Sequence, residues 1–424
     1  MQVKTIRKAS FRLQENENMN KQKKQVVTLY GASLIGMLFG VCNSVINTHA
    51  LSPADYGDVR YVQNIITFIS TILLLGYFAS GSRLLAISKN EAKSRSIRGC
   101  LIEILGILVL ITIGLMVVLY GFHDSIKPFP GKTLFLVSIP VCAMPLLLNY
   151  INTTSQGDNQ IGRIALARLL PSFLYLLIAY FLYKQIHVTS TVMVLLQWGI
   201  GTVVLLGIVL SSGLSFKNTK EAYHSLKKEN SSYGIQLYYG SLAMVATQYI
   251  GGITLGLFNM DNSVVGFYTL ALTVTTPLQM VPSIIGTTYF KKFANETRIP
   301  RSVFRNSLLI TIGTNVIFVL CIYPIVTFLY SKDYADVGLY AMLLSVGFSL
   351  HGFGDFINRY LGSHGQGKSI RNSSFACGIM LIIGNTLLVY LCGVYGAILT
   401  KILSSLFYIL TLLYYYIKFT KAHE

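Results

Sequence analysis

"GCLIEILGILVLITIGLMVVLYG" (99–121) carries a single charge, Glu103, in 23 residues. As a helix rising about 1.5 Å per residue, the run covers ~34 Å. That exceeds the ~30 Å hydrocarbon core of a bilayer. Working outward from it, eleven more apolar blocks stand at 26–49, 59–82, 133–153, 164–183, 190–211, 233–257, 266–289, 304–329, 337–357, 373–391 and 394–417. A membrane strand needs alternating polarity over about ten residues, which these continuous blocks lack. The reading is an all-α polytopic membrane protein with twelve transmembrane helices.

Composition agrees. The 424 residues are 53% hydrophobic and 12% charged, half the roughly 25% of a soluble domain. The net charge of +18 would suggest nucleic acid if it were gathered on a soluble surface. With the N-terminus taken as cytoplasmic, 24 of the 34 Lys and Arg fall in the tails and in loops 88–98, 154–163, 212–232, 290–303 and 363–372. Four (Lys127, Lys132, Lys184 and Lys332) fall in outer loops, and six lie within or at the ends of helices. Excess Lys and Arg marks cytoplasmic loops, so both termini are expected in the cytoplasm. No nucleic-acid partner follows. The six cysteines are scattered without a C-x-x-C pair, so neither a disulfide framework nor a metal site is implied. The apolar run after the basic tail is too long for a signal-peptide core and reads as an uncleaved first helix, with Met19 an alternative start.

The chain repeats itself. At an offset of about 209, Gly31 meets Gly240 and Gly57 meets Gly266; Gln156-Gly157 meets Gln366-Gly367 at 210. Each unit would hold six helices, an even number, so both copies enter the membrane in the same sense as a parallel repeat. The expected organisation is a tail 1–25, a six-helix bundle 26–211, a linker 212–232, a second bundle 233–417 and a tail 418–424. Two bundles around a central cleft suit alternating access. The polar stretches "TTSQGDNQIGR" (153–163) and "GSHGQGKSIRN" (362–372) then read as equivalent loops between the fourth and fifth helices of each half.

The turns "LSPADYG" (51–57) and "DNSVVGFY" (261–268), the block "LYSKDYADVGLYAMLLSVG" (329–347) and "GSHGQGKSIRNSS" (362–374) resemble the multidrug/oligosaccharidyl-lipid/polysaccharide exporter superfamily. "NTTSQGDNQIGRIALARLLPSFLYL" (152–176) and "NTLLVYLCGVYGAILTKILSSL" (385–406) are similar to its polysaccharide-transporter branch, the Wzx-type flippases. The resemblance spans nearly the whole chain from about residue 20 and rests on diffuse patterns without a catalytic signature. It implies a MATE-like fold and a flippase that moves an undecaprenyl-diphosphate-linked oligosaccharide, such as an O-antigen or capsule repeat unit, to the outer leaflet. It also implies membrane lipids, a polysaccharide polymerase and a chain-length regulator as partners, and H+ or Na+ as coupling ions.

Charges inside a bilayer cost about 2.5–3.5 kcal/mol on insertion scales and usually face a cavity or another charge. Arg60, Arg83, Arg168, Arg305 and Arg359 stand in the first turns of helices, where the side chain either snorkels to the interface or lines a cleft. Lys401 lies about two turns inside the last helix and favours the cleft. His351, Asp355 and Arg359 are spaced i, i+4, i+8 on one face. They read either as a local Asp–Arg pair or as a coupling gate, since histidine titrates near neutral pH. Glu103 is a further embedded carboxylate and joins His351 and Asp355 as a coupling candidate. Ser33, Gly36, Gly40, Asn43 and Asn47 form one stripe on the first helix, suited to close packing or to a hydrated cleft. Asn64, Thr67 and Thr71 form another on the second. Pro277 and Pro282 suggest a bend in the eighth.

No nucleotide-binding loop, zinc-protease motif or nucleophile elbow occurs, so no enzyme activity and no cofactor is expected. The surplus of embedded cations suits phosphate or acidic sugars. Two other readings stay open. A cation-coupled drug antiporter would want a carboxylate deep in the first or seventh helix, and both lack one. A non-transporting scaffold of a polysaccharide assembly complex is opposed only mildly, by the polar stripes.

Overall fold

The computed structural model describes residues 31–259 and 261–422. The basic tail 1–25 and the alternative start at Met19 lie outside the described residues. Every regular element among those described is helical. The first half contains α1 (Gly31–Ala50), α2 (Pro53–Leu73), α3 (Tyr77–Ile87), α4 (Glu91–Ile126), α5 (Thr133–Val137), α6 (Met144–Gly157), α7 (Ile161–Leu182) and α8 (Ser190–Leu210). The linker holds α9 (Thr219–Glu229). The second half contains α10 (Ile235–Phe258), α11 (Ser263–Phe293), α12 (Arg301–Leu329), α13 (Asp336–Ser363) and α14 (Gly367–Lys421).

Local chemistry sets the helix starts. Ser52 accepts from the backbone N–H of Asp55 with Pro53 in the first turn, Asn90 accepts from Ala92, and Thr189 accepts from Val192. Eight described helices are long and apolar enough to cross a membrane, and two bent pairs bring the total to ten. The 55-residue α14 breaks at Gly393 (φ 57°) and folds back, since a Cβ on Gly384 would strike the Thr400 side chain at 2.6 Å. With α14 as two passes and the 24-residue α10 as one, the described helices are consistent with twelve.

Several elements depart from the periodicity-based boundaries. The expected helix 59–82 begins at Pro53 and bends by 57° between α2 and α3. The bend lies at Leu75 (φ 46°) and Gly76 (φ 81°), where a Cβ on Gly76 would sit 2.5 Å from the Gly234 backbone. The expected helix 133–153 bends by 47° between residues 130–137 and 139–157, where Pro140 and Pro145 withhold backbone donors. Pro277 and Pro282, in contrast, lie within the uninterrupted α11. The linker, read as a loop, contains α9, whose Ala222 and Leu226 are buried against the first half.

The turns at 153–163 and 362–372 share one geometry, in a register different from the one expected. Asn159 (φ 56°) and Gly365 (φ 69°) take the left-handed position, and the next N–H reaches back five residues. Gln160 bonds to the Ser155 carbonyl at 2.7 Å and Gln366 to that of Leu361 at 3.0 Å. This helix-ending motif pairs Gln160 with Gln366 instead of Gln156 with Gln366. Gly57 and Gly266, matched by the repeat, face each other across α2 and α11: a Cβ on Gly266 would lie 3.3 Å from the Gly57 backbone. Two halves related by an axis along the membrane normal would bring such equivalent residues together.

Three apolar cores result. One joins both halves, one lies in the first half with α9, and one lies in the second half. The connections fall on two faces. A basic face carries the connections and helix ends at 88–98, 154–163, 212–232, 290–303 and 363–372, with 15 Lys and Arg. The opposite face, sparsely charged with Lys and Arg, carries the turns near 51, 127–132, 183–189, 261–262, 331–335 and 393, with four (Lys127, Lys132, Lys184 and Lys332).

Candidate functional site

A cavity of about 530 Å³ lies between α1 and α2 of the first half and α10, α11, α13 and α14 of the second. Ligand pockets typically occupy ~300–1,000 Å³. Its polar lining includes Asn64, Tyr268, Gln279, His351, Asp355 and Lys401. Helix α13 places two of these: His351 and Asp355 are one turn apart and point the same way. Small residues let its neighbours close in. A Cβ on Gly352 would meet the Gln279 carbonyl at 2.4 Å, and one on Gly347 would meet Lys401 at 3.1 Å.

The carboxylate of Asp355 accepts from Gln279 Nε2 and from the Tyr408 hydroxyl, each at 3.1 Å. Tyr408 in turn accepts from Asn358 at 2.7 Å and stacks on the His351 ring, with centroids 4.6 Å apart and planes 16° apart. The expected Asp355–Arg359 pair does not form: Arg359 is exposed, and the ion pairs among the described residues lie elsewhere. Lys401 is partly buried with its ammonium 4.5 Å from the centre of the Phe348 ring. It makes no ion pair among the described residues. Two buried lining atoms, His351 Nδ1 and Asn385 Oδ1, find no hydrogen-bond partner among the described residues. An ammonium held against an aromatic face keeps its N–H donors for a ligand. The cavity can therefore receive an oxyanion beside hydrogen-bonding hydroxyls.

The remaining sequence candidates are dispersed. Asn64 lines the cavity, and a Cβ on Gly252 would strike its amide at 2.2 Å. Asn43 donates to the Ser172 carbonyl at 3.2 Å and Asn47 accepts from Tyr175, so both pack α1 against α7. Arg168 is exposed and donates to Ser33 at 2.9 Å. Arg83 pairs with Glu229 of the linker at 2.6 Å and covers the Tyr233 ring. Arg60 sits over Tyr56 and donates to Gln63. Arg305 and Glu103 are exposed, away from the cavity lining. Gln279, Asn385 and Tyr408 are site residues that the sequence reading missed. Gln279 lies between Pro277 and Pro282, a signal read there only as a bend.

The sequence matches the family described as polysaccharide biosynthesis protein over residues 23–290, more than half of the chain. No curated protein matches. Among solved structures, the lipid II flippase MurJ in an inward closed conformation superposes with a TM-score of 0.72 at 13% identity, covering 92% of this chain and 87% of MurJ. An inward-facing multidrug-resistance MATE transporter of the MOP superfamily gives 0.62 at 15% identity, covering 94% and 99%. The eukaryotic MATE transporter AtDTX14 gives 0.59 at 11%, covering 95% and 98%. At these identities the likeness establishes the fold. These neighbours are transporters and a flippase, not enzymes. This chain is a multi-pass membrane protein with the fold of the MOP-superfamily transporters, and it belongs to the polysaccharide biosynthesis protein family.

Proposed function

We propose that the protein is a flippase carrying an undecaprenyl-diphosphate-linked oligosaccharide from the cytoplasmic to the outer leaflet of the bacterial inner membrane by alternating access. The observation that carries this reading is the ammonium of Lys401, without an ion pair among the described residues, in a polar cavity between the two halves. In a low-dielectric setting such a charge attracts a phosphate or sugar carboxylate strongly. Amides and tyrosines around it supply donors and acceptors for sugar hydroxyls, and family membership supports a saccharide cargo.

The basic face is assigned to the cytoplasm on the charge rule, with both termini there. Asp355 and His351 are the proposed coupling pair for H+ or Na+. The hydrogen-bond partners of Asp355, Gln279 and Tyr408, are neutral, and no ion pair among the described residues offsets the carboxylate, so uptake of a proton or cation would change the charge of the site. Outward movement of a diphosphate also draws on the membrane potential, about 2.3 kcal/mol per charge per 100 mV. O-antigen or capsule as the cargo class, and a polymerase and chain-length regulator as partners, belong to the same proposal.

The test is flipping of a lipid-linked saccharide in proteoliposomes by the full chain and by Lys401→Ala. Active wild type and an inactive, correctly folded variant support the reading. Wild type that moves no lipid-linked saccharide under any ion gradient or potential overturns it and directs attention to the antiporter.

A further inference from the structure

The hydrogen bonds joining the halves form two groups. One surrounds the linker, where Asn230 donates to Leu75 and Tyr238 to Ile72. The other lies at the sparsely charged face and includes Ser44 with Tyr330 and Tyr334 with the Leu51 carbonyl. At this face Lys127, just beyond the end of α4, reaches across to the last turn of α10. Its ammonium donates to the Gly256 carbonyl at 2.6 Å and to that of Asn259. The final carbonyls of a helix lack partners within the helix and carry the negative end of its dipole, so a cation is favoured there. Burial pushes the Lys127 amine below the usual lysine range, and the nearby Asp58 and Asp261 oppose this.

The lysine is itself held. Its carbonyl lies 3.0 Å from His123 Nδ1, and His123 Nε2 lies 2.9 Å from the Tyr61 hydroxyl. A carbonyl can only accept, so in the neutral ring Nδ1 donates and Nε2 accepts from Tyr61. His123 is 2% exposed and packs on Phe129 and Phe135. Tyr61 also abuts α10, because a Cβ on Gly256 would meet its ring at 2.2 Å. One chain of contacts thus runs from α2 through α4 to the end of α10, next to the break at Gly393, whose Cβ would lie 3.5 Å from Asn259 Oδ1.

We propose that Lys127, positioned by His123 and Tyr61, is a latch that keeps the sparsely charged face closed and must leave the end of α10 before the cavity opens there. The latch rests on the alternating-access reading, but its test needs no cargo. Cys377 lines the cavity and is a free thiol. The full chain is reconstituted in sealed vesicles, and a membrane-impermeant maleimide is added from the sparsely charged side. Labelling of the Cys377 peptide is followed by mass spectrometry.

Lys127→Met should label at least about tenfold faster than wild type, because it removes the charge-assisted hydrogen bonds to the Gly256 and Asn259 carbonyls. Lys127→Arg, which keeps a cation, should stay near the wild-type rate. Equal rates for wild type and Lys127→Met overturn the latch. If Lys127→Met fails to fold, Tyr61→Phe decides: faster labelling supports the latch and an unchanged rate overturns it. Flipping of lipid-linked saccharide by the wild type is scored separately, so failure of the latch and failure of the transport reading are distinguishable.

Discussion

At the residue scale, Lys401 and Arg98 mark two ways of burying a cation. Lys401 faces a cavity with an aromatic ring beside it and forms no ion pair among the described residues. Arg98 is held on every side: it donates to Asp158 at 2.9 and 3.2 Å, to Glu91 at 3.1 Å, and to the carbonyls of Ser212 and Gly213. The first is available for a ligand; the second ties the start of α4 to two loops of the basic face. Lys401→Ala should therefore fold normally and lose about ten- to a hundredfold in transport, as removal of a charge-assisted hydrogen bond worth ~1.5–3 kcal/mol implies. Lys401→Arg should retain part of the activity. Arg98→Ala leaves the largely shielded Asp158 carboxylate without its ion-pair partner and should cost up to about 3 kcal/mol, read as a lowered unfolding midpoint in detergent. Arg83→Ala removes an exposed pair and should cost at most about 1 kcal/mol in the same assay. Lys401 was legible in the sequence because an ammonium deep in an apolar run demands an explanation. Gln279, Asn385 and Tyr408 were not, because neutral polar side chains are tolerated in membrane helices wherever a neighbour satisfies them. Their importance lies in convergence from three helices, which no local spacing records.

At the element scale, the apolar runs revealed where helices cross, and other chemistry decided where they begin and bend. Helix α4 runs from Glu91 to Ile126 because Asn90 caps it, although its first turns are polar. Its 36 residues span about 54 Å, more than the ~30 Å hydrocarbon core, so its capped end stands clear of it. The break between α2 and α3 was hidden because leucine at a positive φ has no sequence signal, and the packing of Gly76 on Gly234 settles it. The turn register was misread for a similar reason: Gln-Gly recurs in both loops, but the geometry depends on the left-handed residue before Gln160 and Gln366. Close helix crossings carry the next prediction. A Cβ on Gly57 would lie 1.8 Å from the Asn262 carbonyl, whereas one on Gly106 of α4 would meet nothing within 4 Å. Gly57→Val should lower the unfolding midpoint by the equivalent of about 1–3 kcal/mol, typical of overpacking, and impair transport. Gly106→Val should leave both near wild type.

At the scale of the whole molecule, the fold was legible because membrane helices declare themselves by length and polarity and the repeat by its glycines. Gly57 and Gly266, matched by sequence alone, meet across α2 and α11. The central cavity was expected, but its composition was not: its charged groups come from α13 and α14 of the second half, whereas Arg168 and Arg83 of the first half bind Ser33 and Glu229 instead. This asymmetry suits a cargo whose anionic group docks on one side while the other half moves around it. The most direct measurement is the leaflet distribution of lipid-linked saccharide in cells depleted of this protein. Accumulation in the cytoplasmic leaflet, reversed by the wild type and not by Lys401→Ala expressed to the same level, is the predicted result. An unchanged distribution after depletion would contradict the flippase account.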